Sequence, residues 1–379
     1  MAGILGVFLA IFIVFALIRA AYRRVDIDKL AIEVKFTKAR VFEGEKLALV
    51  TVLTNANWLP LPWVNLRLCV PRYFQFGDTV NTGTSNHFFR NDVYNILMRQ
   101  RIRRRFSFVC NKRGFYDITY VNVSSWDILM ESDNYKTVPV SAQLTVYPSL
   151  LDVPQVDNLC AEIYGVLSSN NILHPDPLTF RGIREYSPRD PQKAINFKAS
   201  AKAQELMVNL WEHVNSREVI LMYNLERHSI WHNDILDEYT IKVVASLAQR
   251  LSREGIPLRF ITNGVQANSN QAHPITEVHE GVGELHLEGI YEVLALMDVA
   301  KRDVAPFHVI LEATAAKYKN QPEYWVVSSH QGTQLEEAYT RLIERGARGA
   351  WILPCSVGLK ADENNITLSS KIREQVILV

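Results

Sequence analysis

The stretch RGIREYSPRD (residues 181–190), continued by PQKAINFKASAK (191–202), carries the most informative pattern in the chain. Two prolines, Pro188 and Pro191, flank a predicted turn, and the residues after it recur at helical spacing. Asp190 is placed to cap this predicted helix, and Pro191 suits its first position. The pattern therefore predicts a charged loop that leads into a helix, for which a solvated surface loop is the simplest structural interpretation.

Four short groups of residues follow one another here in a defined order: Arg184-Glu185-Tyr186, Pro188-Arg189-Asp190, Ile195-Asn196-Phe197 and Ser200-Ala201-Lys202. The series resembles the signature of the domain-of-unknown-function 58 (DUF 58) family, with Phe197 in place of the usual Trp and Lys202 in place of the usual Arg. The resemblance extends over nearly the whole chain. It implies a doubly wound α/β domain of von Willebrand factor A type, related to the Rossmann fold, preceded by an immunoglobulin-like β-sandwich.

Length and composition restrict the class of protein. A chain of 379 residues is long enough for two domains, each with its own core. The 41 Lys and Arg residues nearly balance the 40 Asp and Glu residues, so a nucleic-acid partner is not expected. The cysteines are scattered and form no Cys-x-x-Cys motif, which indicates free thiols in a reducing compartment: Cys69, Cys110, Cys160 and Cys355.

The N-terminus is apolar. Residues 1–18 contain no charged side chain, and Arg19, Arg23 and Arg24 follow at once. We interpret residues 1–24 as a transmembrane anchor rather than a cleaved signal peptide, because no basic region precedes the apolar run and no clear cleavage site follows it. Since positive charge favours the cytoplasmic side, this predicts a single-pass membrane protein with its C-terminal domains in the cytoplasm.

Residues 25–150 are predicted to form the β-sandwich, because short apolar runs alternate with turn signals. Arg99, Arg101, Arg103 and Arg105 alternate along one predicted strand and therefore share a face. A solvated basic stripe is the simplest interpretation of this face. Attraction to anionic lipid is a second one, and nucleic-acid binding is a weaker one because no aromatic residues interleave.

Residues 151–379 hold the signature segment and a region in which predicted strands and helices alternate. The apolar run at 217–224 has the length of a buried parallel strand, and residues 234–254 have helical periodicity. Repeated β-α-β units predict a doubly wound sheet whose ligand-prone loops follow the carboxyl ends of the strands.

A von Willebrand A domain binds a divalent ion through Asp-x-Ser-x-Ser after its first strand and through residues of later loops. The corresponding positions here are Asn224, Glu226 and His228, and a later strand ends at Ser328 before His330. Hard cations prefer oxygen ligands, so the two histidines are poor magnesium ligands. The pattern predicts a decayed metal site and no cofactor, with another metal held by Glu226, His228 and His330 as the alternative.

The signature residues are candidates for an interaction surface. They could form an ion-pair network that docks the predicted helix, or present a patch to a partner, since Arg and Tyr are typical interface anchors. Both interpretations stay open for this set: Arg181, Arg184, Glu185, Tyr186, Pro188, Asp190, Phe197 and Lys202.

Enzyme signatures are absent from the sequence, which contains no Gly-x-Ser-x-Gly, His-Glu-x-x-His or Walker A motif. We therefore expect a non-enzymatic, membrane-anchored interaction or adaptor protein without a small-molecule substrate. Members of the DUF 58 family are commonly associated with MoxR-type AAA+ ATPases, so the resemblance implies such a partner in complex assembly. The alternative is a divalent-metal-dependent adhesion or binding module; a hydrolase would require Glu226, His228 and Ser329 to converge.

Overall fold

The structure, a computed structural model, describes residues 2–22, 27–77, 82–83, 87–126, 133–169, 180–187, 195–211, 218–226, 234–266, 275–300, 304–318, 322–355 and 376–379. The chain divides into two compact units. Unit 1 comprises Met1–Ser149 together with Tyr291–Met297, and unit 2 comprises Leu150–Ile290 together with Asp298–Val379.

The described part of unit 1 consists of one N-terminal α-helix, a short 3-10 turn at Ile27–Lys29, and strands. In chain order the elements are α1 (Ala2–Tyr22), β1 (Leu30–Phe36), β2 (Arg40–Phe42), β3 (Lys46–Asn55), β4 (Leu61–Pro71), β5 (Phe74–Phe76), β6 (Thr82–Gly83), β7 (His87–Ile96), β8 (Arg101–Cys110), β9 (Gly114–Trp126) and β10 (Asp133–Tyr147).

These strands form two sheets, with the orders β1-β3-β8-β5 and β2-β10-β9-β4-β7-β6. All neighbouring strands are antiparallel except β2 and β10. Buried and exposed residues alternate along β1, as expected for a strand with one face on a core. Leu49 and Leu53 of β3 share a single core with Leu66 and Leu68 of β4, so the two sheets bury their inner faces together.

The described part of unit 2 contains helices and strands in alternation. They are α2 (Val153–Ser169), β11 (Phe180–Glu185), α3 (Phe197–Ala203), β12 (Met207–Trp211), β13 (Val219–Asn224), α4 (Asp234–Arg253), β14 (Leu258–Thr262), β15 (Thr276–Gly281), α5 (Glu284–Leu296, whose last turns belong to unit 1), α6 (Phe307–Lys317), β16 (Glu323–Ser328), α7 (Thr333–Glu344), β17 (Arg348–Leu353) and β18 (Val376–Leu378).

Six of these strands form one sheet in the order β15-β14-β13-β16-β17-β18. All are parallel except β15, which runs antiparallel to β14. Helices α6 and α7 cover one face, and α2 and α4 pack on strands from the other. Since both faces are covered, every residue of β13, β14 and β16 is buried, which explains their nearly continuous apolar sequences.

The predicted membrane anchor is wrong. Among the described residues, no helix is long and apolar enough to cross a membrane. Helix α1 is apolar, but its uncharged part ends at Ile18 because Arg19 lies in its last turn. A span needs about 20 apolar residues. The prediction of a single-pass membrane protein with cytoplasmic C-terminal domains depended on this anchor and is therefore wrong as well.

The predicted fold class, a doubly wound von Willebrand A-like domain preceded by an immunoglobulin-like sandwich and a transmembrane helix, is therefore wrong as stated. The described chain is a mixed α/β protein with four sheets: two in unit 1, the six-stranded sheet, and a two-stranded sheet of β11 and β12. The predicted fold class included a transmembrane helix because the N-terminal residues are apolar. Apolar composition alone does not determine how long the uncharged part of a helix is.

Candidate functional site

Asn224 and Ser328 end two neighbouring parallel strands of the six-stranded sheet. They are direct partners in the register of β13 and β16. The chain continues from β13 to β14 on one side, and from β16 to β17 on the other side. The carboxyl ends of β13 and β16 thus lie where the order of connections reverses, which is where open α/β sheets bind their ligands.

Hydrogen bonds between side chains occupy this position. The Nδ2 of Asn224 donates to the Oγ of Ser328 at 3.1 Å. Asn263, directly after β14, donates from its Nδ2 to the Oδ1 of Asn224 at 3.0 Å. All three side chains are buried. The ends of three adjacent strands are therefore joined by a polar network inside unit 2.

Backbone groups fix the orientation of both amides. The Oδ1 of Asn263 accepts from the backbone N–H of Leu225 at 2.8 Å, and its Nδ2 also donates to the carbonyl of Ala305 at 3.0 Å. The Oδ1 of Asn224 accepts from the backbone N–H of Glu226 at 2.8 Å. Because a backbone N–H only donates and a carbonyl only accepts, neither amide can be turned around without losing bonds.

Glu226 and His330 border this network. The carboxylate of Glu226 accepts from the Nδ2 of Asn224 at 3.4 Å. The Oγ of Ser328 accepts from the backbone N–H of His330 at 3.2 Å and lies 2.9 Å from its carbonyl. At Gly332, a Cβ would lie only 2.3 Å from the Nε2 of His330, so a side chain there would displace the ring. The loop after β16 is thus packed around a turn that Ser328 holds.

The arrangement is unsuited to a hard cation. Asn224 Oδ1, the oxygen that replaces the expected aspartate, already accepts two hydrogen bonds. Both asparagine amides place N–H donors in the network, and donors repel a cation. Over the described residues, no group of three His, Cys, Asp or Glu side chains could hold a metal ion. The alternative metal site with His228 lies partly outside the described residues, since His228 is not among them.

The signature residues form a separate small substructure of unit 2. Strand β11 pairs antiparallel with β12, and Ile195 makes an isolated bridge to Val208. Helix α3 begins after Asn196, whose side chain accepts from the backbone N–H of Ala199 at 3.0 Å. The predicted helix start at Pro191 lies outside the described residues, but Ile195 belongs to the bridge rather than to a helix.

Ser200 ties this helix to the neighbouring strand. Its Oγ donates to the carbonyl of Asn196 at 2.8 Å and accepts from the backbone N–H of Met207, also at 2.8 Å. A third link joins Tyr186 to the residue before β12, because its backbone N–H donates to the carbonyl of Leu206 at 2.8 Å. The hydroxyl of Ser200 thus joins the start of α3 to the first residue of β12.

The side chains of this substructure are mostly exposed. Phe197 is 74% exposed, and Ile183 and Leu206 are also exposed. Arg184 and Glu185 are exposed, and the Nη1 of Arg184 donates to the backbone carbonyl of Glu185 at 2.9 Å. Tyr186 is half-buried and Lys202 is exposed. Pro188 and Asp190 lie outside the described residues, and Arg181 is described only as a residue of β11.

Three residues of the polar network were missed by sequence reasoning. They are Asn263, Ala305 and Trp351, whose Nε1 donates to the carbonyl of Ser328 at 3.3 Å. Asn263 directly follows the run Leu258-Arg-Phe-Ile-Thr262, and Asn224 likewise stands at the end of its own strand-like run. That signal was available, whereas nothing local marks the carbonyl of Ala305.

Comparison with known proteins gives no family. No family model and no curated protein matches the chain. Similar solved structures include the CARDB domain of the PF1109 protein from Pyrococcus furiosus, a non-cellulosomal cohesin from Archaeoglobus fulgidus, and a protein of unknown function from Porphyromonas gingivalis W83.

The CARDB domain is 11% identical and covers 31% of this chain and 90% of its own, with a TM-score of 0.21. The cohesin is 14% identical and covers 30% of this chain and 90% of its own, with a TM-score of 0.22. The protein from Porphyromonas gingivalis is 10% identical and covers 31% of this chain and 48% of its own, with a TM-score of 0.22. With TM-scores this low, these similarities carry no argument about fold or function.

Proposed function

We propose that this protein is a non-enzymatic interaction module, an adaptor that binds a MoxR-type AAA+ ATPase during the assembly of a protein complex. The docking surface is the carboxyl edge of the six-stranded sheet, with Glu226 and the loop after Ser328, together with the signature substructure of β11, β12 and α3. The resemblance of the signature to the DUF 58 family supports the choice of partner.

The observation that carries the proposal is the hydrogen bond between Asn224 and Ser328. It lies at the position where an open α/β sheet would otherwise receive a ligand. With Asn263, these buried side chains satisfy one another, so within the described residues the two amides and the hydroxyl of this network are engaged with each other and with backbone groups. A sheet edge that is packed in this way is better suited to present a rigid surface to another protein than to catalyse a reaction.

The signature substructure supports the same proposal. Aromatic and arginine side chains are the common anchors of protein interfaces, because they combine apolar area with hydrogen bonding. Phe197 and Arg184 are exposed, and Ile183 and Leu206 add apolar surface from the same substructure. Exposed apolar residues on a small hydrogen-bonded scaffold are the composition expected of a docking surface.

The test is co-purification of the full chain with a MoxR-type ATPase, in the presence of ATP and of ADP. Phe197→Ala and Arg184→Ala are expected to reduce recovery of the ATPase, by about tenfold for the aromatic anchor. Leu285→Ala is the matched control, because Leu285 is an apolar residue of unit 2 that is 86% exposed and lies outside the proposed surface.

Unchanged recovery with both variants, in protein whose circular dichroism matches the wild type, would overturn the proposed surface. An equal loss with Leu285→Ala would show that general hydrophobicity, not this surface, holds the partner. Failure of the wild-type chain to retain any MoxR-type ATPase under either nucleotide would overturn the proposed partner.

A further inference from the structure

Strand β8 of unit 1 carries three exposed arginines on its outer row. They are Arg101, Arg103 and Arg105, which pair in register with Thr54, Val52 and Val50 of β3. Among the described residues, none of the three is paired with a carboxylate. Arg104, on the inner row, differs: its guanidinium lies 4.1 Å from the ring centre of Tyr94. The outer arginines therefore have no structural partner that explains them within the described chain.

The same segment of β8 lies at an open edge of its sheet. The strand stands between β3 and β5, but β5 pairs only with Phe108, Val109 and Cys110. Over the described residues, the segment from Arg101 to Ser107 thus has a strand neighbour on one side only. In an antiparallel sheet every second residue of such a segment directs its N–H and C=O groups to the open side.

A groove of about 670 Å³ adjoins the arginines on this face. Val50 and Val52 line it, together with Arg101 and Arg103 from β8 and with residues of β1. The acidic residue of the groove, Glu33, is already paired with Lys35 at 3.2 Å. The arginines therefore give the groove a net positive charge above an apolar floor.

We propose that this edge of unit 1 binds an extended, acidic segment of a partner protein, which adds to the sheet as a further strand beside β8. Backbone hydrogen bonds to the open segment supply sequence-independent affinity, as in other cases of strand addition. Carboxylates at every second position of the segment face Arg101, Arg103 and Arg105, because side chains on one face of a strand recur with a period of two. The residues between them point to the opposite face of the sheet, beside the inner row of β8 that holds Ile102 and Phe106.

Charges on an open edge also prevent strands from pairing with other copies of the chain, so this role is the competing explanation. It predicts no affinity for a particular segment, and it requires no apolar groove beside the charges. The two explanations therefore differ in a measurable way. The inference is independent of the proposed ATPase adaptor function, which rests on residues of unit 2.

The test measures binding of the full chain to a short synthetic peptide in which Glu alternates with Val. We expect binding that weakens with salt, and that is lost when alternate peptide nitrogens are methylated, because methylation removes the donors of an added strand. Arg103→Glu is expected to weaken binding roughly 5- to 10-fold, the loss of an exposed ion pair plus a repulsion. Arg67→Glu, at an exposed position of β4 in the other sheet, is the matched control.

A charge swap makes the test independent of folding defects. The triple variant Arg101→Glu, Arg103→Glu, Arg105→Glu is expected to prefer a peptide in which Lys alternates with Val. The proposal is overturned if the acidic peptide does not bind, if Arg103→Glu and Arg67→Glu behave alike, or if the methylated peptide binds as well as the plain one. It is also overturned if the arginines bind anionic lipid vesicles or RNA more tightly than the peptide, which would make them a general anion surface.

Discussion

Asn263 donates a hydrogen bond to Asn224 at 3.0 Å and thereby joins the ends of two parallel strands, β14 and β13. Asn263 also accepts from the backbone N–H of Leu225, directly after β13, and Asn224 accepts from the backbone N–H of Glu226. The pair therefore holds the ends of the two strands together at the carboxyl edge of the sheet. A buried polar network is stabilising only when every member is satisfied. The described contacts of Asn224 and Asn263 meet that condition.

Asn263→Asp is expected to destabilise unit 2 by about 2–4 kcal/mol, because the change replaces a donor with a carboxylate that faces the Oδ1 of Asn224 and the carbonyl of Ala305. Urea unfolding measures the difference. Asn134→Asp, the same change at an exposed position of β10, is the control and should alter stability little. A wild-type unfolding midpoint for Asn263→Asp would show that the network is not closed as described.

How far the sequence predicted this site depends on which contacts are local. Asn224 and Ser328 each end an apolar run, and a run of that length in a β-α-β pattern marks a strand end without knowledge of the fold. Asn263 joins them only because β14 lies beside β13, and strand order is not encoded in any local pattern. Ala305 contributes a backbone carbonyl, which leaves no trace in residue type.

The same limit explains the differences in the signature segment and at the N-terminus. Asp190 and Pro191 are good helix-start signals, but Asn196 is another, and its side chain is the one that caps α3. In α1, apolar character was evident, but the uncharged run stops at Ile18, short of the required length. In each case a correct local signal was given the wrong extent.

Arg113 is a second buried polar residue on which stability should depend. It is 5% exposed, and its Nη1 donates to the carbonyls of Leu294 at 2.6 Å and Met297 at 3.0 Å, all within unit 1. Leu294 lies in the last turn of α5 and Met297 directly follows the helix, where a positive charge is also favoured by the helix dipole. Arg113→Met should cost about 3 kcal/mol in urea unfolding, since it leaves buried carbonyls without a donor.

Arg113→Lys is the informative companion, because it keeps the charge but supplies a point donor instead of a planar group. We expect its stability to fall between those of Arg113→Met and the wild type. Lys112→Met, at the neighbouring and more exposed position, controls for loss of charge. Equal stability of Arg113→Met and Lys112→Met would contradict the assigned role.

The thiol of Cys160 should be unreactive in the folded protein. Burial raises its pKa to about 11, and the negative charge of Glu254 adds to the shift. Because the thiolate is the nucleophile, alkylation with iodoacetamide at neutral pH should be slow in the native state and rapid in urea. Mass spectrometry of Cys160-containing peptides measures both rates. Fast labelling of the native protein would show that this thiol is accessible.

The sign of this shift also predicts a pH dependence. The folded state holds the Cys160 proton more tightly than the unfolded state, whose thiol has the ordinary pKa. The resulting stability is complete below the unfolded pKa and is lost as the pH rises from about 9 towards 11. Cys160→Ala should therefore flatten the alkaline part of the stability profile; a slope identical to that of the wild type would assign it to other groups.

Glu277 of β15 is expected to make unit 2 sensitive to acid. Burial alone would raise the pKa of this carboxyl, but hydrogen bonds from Tyr318 and Lys317, the charge of Lys317 and a hydrogen bond from Arg259 outweigh it, and the pKa is lowered. Tyr318 Oη donates to Oε1 at 2.8 Å, and Arg259 Nη1 does so at 3.1 Å. The ionised form is therefore the one that the fold stabilises.

A carboxyl whose folded-state pKa is depressed stabilises the protein above its unfolded pKa, and this contribution disappears as the pH falls through the folded pKa. Glu277→Gln should thus be less stable than the wild type at neutral pH, and the two unfolding midpoints should converge in acid. Glu280→Gln is the matched control, because Glu280 approaches Arg259 only at 3.5 Å and is more exposed. A constant difference between Glu277→Gln and the wild type at every pH would mean that the amide disturbs packing, and that the carboxylate charge does not stabilise this edge of the sheet.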